Sequence, residues 1–348
     1  MTRKVRIGDN LIIGGGEKIA VQSMSVNRIS DIEKAVFDCE RLKAAGCDAL
    51  RFSVLDEKDA AAFGKVKKRT DIPLVADIHF DYRLAIAAIK GGADKIRINP
   101  GNVGGEANVI RVADALKSTG VAVRVGSNTG SIEKDFLDKY GKNEISLGES
   151  ALKNVALLEK HGVENIVVSV KASSVPLMVK AYEYVAKRVD YPLHLGVTEA
   201  GTEYAGVVKN TAGISALLLK GIGDTVRVSL SADPIREIKA AKAILSALEI
   251  TTDGVKIIAC PTCGRCAWDC MAFAQKVEER YGNVNAPLKI AVMGCAVNGP
   301  GEAADADIGV AGAGDGCLIF KNGKPYKKVK REELEKEFFG EVDKCIKA

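Results

Sequence analysis

The sequence has few aromatic residues, few histidines and no long apolar run. Aromatic residues make up 5% of its 348 residues, and three residues are histidines. No stretch approaches the roughly 18 consecutive apolar residues that a membrane-spanning helix needs. The first ten residues, MTRKVRIGDN, lack the apolar segment of a secretory signal. We therefore expect a soluble, cytoplasmic protein with no membrane partner.

Neither positive nor negative charge is in large excess. The chain has 50 basic and 45 acidic side chains, a net charge of +5, with no basic tail. This balance does not indicate nucleic-acid binding, so no such partner is expected. Nine cysteines in a reducing compartment are not expected to form disulfides. Clustered thiols there more often bind a metal or carry out redox chemistry.

Glycine and small apolar residues are abundant, and residues 1–250 alternate eight short β-rich runs with longer helical stretches. The predicted strands are IAVQSM, DALRFSV, PLVADIH, KIRIN, VAVRVGS, IVVSVKAS, LHLGVTEAG and TVRVSLS. Eight such units over about 250 residues are typical of a TIM-like (β/α)₈ barrel. An open, doubly wound α/β sheet is the alternative, although it rarely needs eight strands in strict alternation.

Polar residues mark the predicted strand ends, where the active site of a TIM barrel lies. Five are basic: Arg51, Arg97, Arg124, Lys171 and Arg227. Two are acidic, Asp77 and Glu199, which leaves an excess of positive charge. Like charges about 8 Å apart repel by roughly 2 kcal/mol at an effective dielectric near 20. An anion would relieve that repulsion, and guanidinium groups suit phosphate oxygens.

These cations predict a small substrate with more than one phosphate charge. Further candidates at the same strand ends are His79, Asn99, Asn102, Asn128 and Ser229. Ion pairs inside the barrel, or solvated charges, are the alternative interpretation. We expect the other two histidines, His161 and His194, to be structural.

The pattern changes after residue 250, and residues 251–348 predict a compact α/β domain with clustered cysteines. Cys260, Cys263, Cys266 and Cys270 reproduce the bacterial ferredoxin spacing, although methionine stands where proline is expected. A second possible ligand set is Cys260, Cys263 and Cys295. Cys266 and Cys270 would then lie on one face of a helix that begins at Arg265. The spacing alone leaves both sets open, and a structural zinc site is a third alternative.

Five motifs resemble the 4-hydroxy-3-methylbut-2-enyl diphosphate synthase family, and the resemblance covers essentially the whole chain. They are VADIHF (75–80), HLGVTEAG (194–201), GIGDTVRVSLS (221–231), CPTCGR (260–265) and GCAVNGPGEA (294–303). The resemblance implies a TIM-like barrel followed by a [4Fe–4S] domain similar to that of sulfite and nitrite reductases. It also implies the cluster ligands Cys260, Cys263, Cys295 and Glu302, with Cys266 and Cys270 outside the family pattern.

The reaction implied by the resemblance belongs to isoprenoid precursor synthesis. It opens 2-C-methyl-D-erythritol 2,4-cyclodiphosphate and removes water to give (E)-4-hydroxy-3-methylbut-2-enyl diphosphate. Two electrons pass from reduced flavodoxin or ferredoxin through the cluster. The expected catalytic residues are Glu302, displaced from one iron, and Glu199, His79 or Asp77 as proton donor. The family also implies a head-to-tail homodimer.

Two other functions would each explain part of the sequence. A barrel enzyme without redox chemistry, such as a pterin-binding synthase, would explain the anion site but not the cysteines. An iron–sulfur sensor or electron carrier would explain the cysteines but not the polar strand ends.

Overall fold

The chain divides into two units, Met1–Leu248 and Glu249–Ala348. The structure is a computed structural model, and it describes residues 1–99, 103–251, 254–266, 268–282, 284–295, 301 and 303–347. Two of the predicted site residues, Asn102 and Glu302, lie outside the described residues.

Eight parallel strands form the barrel of the first unit, which confirms the predicted TIM-like fold and excludes the open doubly wound sheet. Neighbouring strands pair in the order β8-β7-β6-β5-β4-β3-β10-β9, and a bridge between Val168 and Leu193 joins the two ends. The strands are β3 (Ala20–Met24), β4 (Ala49–Val54), β5 (Leu74–Ile78), β6 (Lys95–Ile98), β7 (Ala122–Asn128), β8 (Ile166–Lys171), β9 (His194–Leu195) and β10 (Thr225–Val226).

Helices follow the barrel strands, and short polar side chains fix where several of them begin. The side chains of Asp31, Asp56, Asp81 and Asp233 accept hydrogen bonds from backbone N–H groups in the first turn. Within the described part of the chain, no helix is both long and apolar enough to cross a membrane. The helices of this unit are α1 (Ile32–Ala44), α2 (Glu57–Lys67), α3 (Tyr82–Lys90), α4 (Glu106–Thr119), α5 (Lys134–Tyr140), α6 (Glu144–Lys160), α7 (Val175–Ala186), α8 (Glu203–Leu218) and α9 (Pro234–Ala247).

Side chains alternate between the two faces of each barrel strand. In β4, Leu50, Phe52 and Val54 belong to the apolar core shared with the helices, which directs Arg51 and Ser53 into the barrel. The outer face therefore supplies most of the apolar packing, and the interior is left available for polar side chains.

An N-terminal hairpin, β1 (Val5–Ile7) and β2 (Leu11–Ile13), forms a separate apolar cluster with the barrel. Its buried side chains pack with Ala20, Ala122 and Val167, which lie on the barrel strands β3, β7 and β8. Ala20 and Ala122 begin their strands, so the hairpin covers the end of the barrel opposite the strand ends that carry the predicted site.

In its described residues, the second unit is a five-stranded sheet with a helix between its first two strands and another near its C-terminus. The strands are β11 (Lys256–Ala259), β12 (Lys289–Met293), β13 (Ile308–Ala313), β14 (Gly316–Lys321) and β15 (Lys324–Lys330), and the helices are α10 (Cys270–Tyr281) and α11 (Leu334–Lys347). The first three strands are parallel and the last two antiparallel.

Two details of this unit differ from the sequence expectation. The predicted helix from Arg265 begins instead at Cys270, because the Asp269 side chain caps it by accepting from the backbone N–H of Ala272. The edge strand β15 is not evident in the sequence, since its residues are nearly all exposed and Val329 is its one buried side chain.

The hairpin cluster yields a stability prediction. Replacing Ile13, which is fully buried, with alanine should lower the free energy of unfolding by about 2–5 kcal/mol because it leaves a cavity beneath the barrel. The matched variant Ile12→Ala, at a side chain that is 37% exposed, should change it by less than about 0.5 kcal/mol. Urea unfolding monitored by circular dichroism measures both, and equal losses would contradict a structural role for the hairpin.

Candidate active site and metal centre

The structure brings the five predicted cations together in the barrel. Arg51, Arg97 and Arg124 lie on β4, β6 and β7, and Arg97 and Arg124 are partners in the strand register. Lys171 ends β8, and Arg227 follows β10. Burial lowers the pKa of Lys171 well below its usual value, and the positive charges of all four arginines lower it further. The group is therefore short of negative charge.

Asp77 at the end of β5 is the carboxylate shared by this group. Its oxygens lie 3.2 Å from Arg97 Nη1 and 3.7 Å from Arg51 Nε. Burial alone would raise the pKa of Asp77, but Arg51, His79 and Arg97 outweigh it and hold that pKa well below the usual range. Asp77 is thus an ionised anchor, which argues against its use as a proton donor.

His79 lies just beyond Asp77 and is about half exposed. Its Nε2 is 3.1 Å from Nη1 of Arg97. The same nitrogen is 3.6 Å from Oδ2 of Asp77, so His79 lies against both members of the Asp77–Arg97 ion pair.

The second carboxylate of the group is Glu237 on α9, which sequence reasoning missed. Its Oε1 accepts from Arg227 Nη2 at 3.0 Å and from the backbone N–H of Leu230, and its Oε2 accepts from Ser23. Glu199, the other predicted acid, forms no ion pair with these cations in the described part of the chain. Glu199 is exposed at the mouth, with a left-handed backbone (φ 52°). In the sequence, the feature that points to Glu237 is its position, one turn into the helix that follows the eighth strand.

Buried guanidinium nitrogens in this group lack hydrogen-bond partners within the described residues. They are Nε of Arg51, Arg97 and Arg227, and both Nε and Nη1 of Arg124. Leaving such donors unpaired in a buried site is costly. Arg124 is 1% exposed, and its pKa is lowered well below the usual value by burial and by the nearby Arg51 and Arg97. An anion accepting from these nitrogens would satisfy both their hydrogen bonding and their charge.

A second polar layer lies in the barrel interior, and it too was missed. Lys95 begins β6, is 1% exposed and donates to Gln22 Oε1 at 3.0 Å. Burial, followed by the charges of Arg124 and Arg51, lowers its pKa well below the usual value. His194 is fully buried and its Nδ1 pairs with Thr225 Oγ1 at 2.7 Å, in keeping with its predicted structural role.

Two glycines leave room for the cations. A Cβ at Gly126 would lie 2.9 Å from Arg97 Nε, and one at Gly196 would lie 2.9 Å from Lys171 Nζ and 2.4 Å from the carbonyl oxygen of Arg227. Any larger residue there would push a cation from its place.

The neutral candidates also border this group. Asn99 is buried one residue past β6, and its Oδ1 has no partner among the described residues. Asn128 ends β7 and is half-buried. The hydroxyl of Ser229 accepts from Arg227 Nη1.

The cysteines predicted to bind a cluster follow neighbouring strands of the second unit. Cys260 directly follows β11, and its N–H donates to the carbonyl of Val292 on β12. Cys295 lies two residues past β12, and Cys263 is exposed in the turn after Cys260. Among the described residues, no three such side chains form a metal-binding group. The donor set still fits an iron–sulfur cluster, because three thiols follow the ends of two paired strands.

The other two cysteines of the ferredoxin-like spacing face each other. The sulfurs of Cys266 and Cys270 are 3.5 Å apart, and Cys270 is buried in the apolar core with Phe273 and Val277. Burial raises the pKa of the Cys270 thiol to about 12. Cys270 therefore packs as part of the apolar core of this unit.

A (β/α)₈ barrel with a buried cation group, followed by a cysteine-bearing α/β unit, defines the class of this protein. The family described as the GcpE TIM-barrel domain matches residues 2–242, and that described as the GcpE protein C-terminal domain matches residues 256–344. The chain belongs to the GcpE family.

Curated relatives match along the full chain. A 4-hydroxy-3-methylbut-2-en-1-yl diphosphate synthase (flavodoxin) from Caldanaerobacter subterraneus subsp. tengcongensis is 52% identical over 348 residues, covering 100% of this chain and 98% of the relative. One of the same name from Anoxybacillus flavithermus is 50% identical, covering 99% and 94%.

Among solved structures, Yersinia pestis dihydropteroate synthase matches with a TM-score of 0.52 and 11% identity, covering 72% of this chain and 100% of that chain. At that identity the likeness concerns the barrel fold alone.

The unpaired nitrogens of Arg124 predict anion binding. Arg124→Met should weaken the binding of inorganic diphosphate about 10- to 100-fold, because a hydrogen bond to a charged group contributes about 1.5–3 kcal/mol. Isothermal titration calorimetry measures the affinity. The exposed Arg111 on α4 provides the matched control, since Arg111→Met removes the same charge outside the barrel. Unchanged affinity in the Arg124 variant would show that the cations serve only internal ion pairs.

Proposed function

We propose that this protein is a flavodoxin-dependent 4-hydroxy-3-methylbut-2-en-1-yl diphosphate synthase. It converts 2-C-methyl-D-erythritol 2,4-cyclodiphosphate, two electrons and two protons into (E)-4-hydroxy-3-methylbut-2-enyl diphosphate and water. The observation that carries the proposal is the set of buried, unpartnered guanidinium nitrogens in a chain of the GcpE family. A substrate with two linked phosphates supplies the acceptors that those nitrogens need.

The cations hold the diphosphate through the whole reaction. Arg51, Arg97, Arg124, Lys171 and Arg227 converge on one region from five strands, and Asp77 and Glu237 fix three of the guanidinium groups. Positive charge that is already in place costs no reorganisation when negative charge develops on a leaving phosphate oxygen. Asn99, Asn128 and Ser229 complete the polar lining of the substrate site, and Asn102 is a further proposed substrate-binding residue.

Side chains at the mouth of the barrel supply the proton. Asp77 is held ionised by its cations, so it orients Arg51 and Arg97 and does not supply the proton. Glu199 is exposed at the end of the seventh barrel strand, where it can exchange protons with solvent and present one to the departing oxygen. His79, half-exposed beside Arg97 and Asp77, is the alternative donor.

The second unit holds the [4Fe–4S] cluster, with Cys260, Cys263, Cys295 and Glu302 as ligands. When bound, such a cluster supplies electrons one at a time and an electrophilic iron. A carboxylate is a harder ligand than the three thiolates, so Glu302 is the ligand most readily displaced.

A head-to-tail homodimer completes each site, with the cluster unit of one protomer covering the barrel of its partner. Four large apolar side chains support this arrangement. Val26, Leu55, Phe80 and Tyr204 are 66–85% exposed and follow strands β3, β4, β5 and β9 around the barrel mouth. Phe80 is held outward with a left-handed backbone, φ 64°, which is unusual for an aromatic residue. Exposed apolar side chains gathered at one place favour a protein contact there.

Turnover tests the function. Anaerobically purified protein with reduced flavodoxin should convert the cyclodiphosphate to product, with about four irons per chain. Cys263→Ser should lose iron and turnover together, whereas Cys317→Ser, at a buried thiol of β14, should retain both. A full complement of iron without product, under a competent reductant, would refute the proposed reaction.

Mixing tests the dimer. Equal amounts of Arg124→Met and Cys263→Ser protein, each inactive alone, should together recover up to about one quarter of the wild-type rate. Half of the dimers are then mixed, and each mixed dimer has one intact site. Two preparations of Arg124→Met protein mixed in the same way provide the control. If native mass spectrometry shows mixed dimers and activity does not return, each site is formed within one chain.

A further inference from the structure

The two cysteines that the proposed ligand set leaves out form a pair. The Sγ atoms of Cys266 and Cys270 are 3.5 Å apart, about 1.5 Å more than a disulfide bond. Cys270 is the first residue of α10 and is 2% exposed, whereas Cys266 is half-buried and accessible. The pair thus has one thiol that solvent reaches and one that it does not.

The surroundings hold this pair in place. The thiol of Cys266 donates to the carbonyl of Trp268 at 3.1 Å, and the Trp268 indole N–H donates to the carbonyl of Met293 at 3.1 Å. A Cβ on Gly294 would lie 2.9 Å from the sulfur of Cys266 and 3.5 Å from that of Cys270. Both sulfurs therefore pack directly against the backbone of Gly294.

We propose that Cys266 and Cys270 are a redox-active dithiol, which a low-molecular-weight disulfide converts to an intramolecular disulfide. The inference is drawn from the sulfur–sulfur contact and the unequal exposure, and it rests on the part of the proposed function that leaves both thiols outside the cluster ligands. The neighbouring Cys295 is one residue from Gly294, so the pair places a thiol–disulfide site beside a proposed cluster ligand.

The exchange follows from which thiol is accessible. The Cys266 thiolate attacks one sulfur of the small disulfide, forms a mixed disulfide and releases one thiol. The Cys270 thiolate then attacks the Cys266 sulfur, forms the internal bond and releases the second thiol. Two electrons pass from the dithiol to the small disulfide, and the two protons of the dithiol end on the two released thiols.

A tryptic peptide isolates the pair from every other cysteine. Cleavage after Arg265 and Lys276 gives CAWDCMAFAQK, which contains Cys266 and Cys270, whereas Cys260 and Cys263 fall on the preceding peptide, IIACPTCGR. The full-length protein, purified anaerobically with its iron, is equilibrated with reduced and oxidised glutathione at graded ratios. It is then quenched in acid, alkylated and digested, and the peptide mass shows two alkylated thiols or one internal disulfide.

The disulfide form should increase with the oxidised fraction of glutathione along a two-electron curve. Unequal exposure adds a prediction for single variants. Cys270→Ser should accumulate about tenfold more glutathione adduct at position 266 than Cys266→Ser accumulates at position 270, because only Cys266 is accessible. Cys317, buried alone in β14, should stay reduced in the same samples and serves as the internal control.

Two results would overturn the proposal. In the first, the peptide stays doubly alkylated at ratios of oxidised to reduced glutathione that fully oxidise a reference dithiol such as reduced thioredoxin. In the other, the peptide is found cross-linked to IIACPTCGR, which would show that Cys266 or Cys270 pairs with Cys260 or Cys263 instead.

Discussion

Asp77 lies between two guanidinium groups, 3.2 Å from Arg97 and 3.7 Å from Arg51, in a barrel that holds several more cations. Without its negative charge the repulsion among the basic side chains would rise further, since charges at these separations interact strongly in a buried site. Glu237 does the same for Arg227 from the helix side. These two carboxylates leave other guanidinium nitrogens unpaired, and the proposed function assigns those nitrogens to the phosphate oxygens of the substrate.

This concentration of charge depends on where the apolar packing lies. A TIM barrel usually fills its interior with branched apolar side chains, whereas here Lys95, Gln22 and His194 occupy interior positions. The apolar faces of the strands point outward to the helices, and the N-terminal hairpin covers the far end with Val5, Ile7 and Ile13. Because most of the apolar packing lies between the strands and the helices, the barrel interior can hold the polar side chains beneath the proposed substrate site.

The sequence alone was enough to predict the barrel and the basic side chains inside it. Two-residue alternation in runs such as DALRFSV and KIRIN identifies strands, and it fixes which side chains face inward. Parallel strands in register then bring Arg97 beside Arg124. The sequence did not predict edge strand β15, because its seven residues, KPYKKVK, are nearly all exposed and do not alternate between apolar and polar side chains.

The features that could be predicted from the sequence are local: the succession of strands and helices along the chain, the basic residues at the strand ends, and the cysteines that follow two strands. Tertiary structure decided which carboxylate meets which cation, so that Glu237, on a helix, pairs with Arg227. It also decided that Cys266 and Cys270 face each other, since Asp269 starts the helix later than the pattern indicated. The physical reason is that alternation along a strand is set by neighbouring residues, whereas these contacts depend on how separate segments pack.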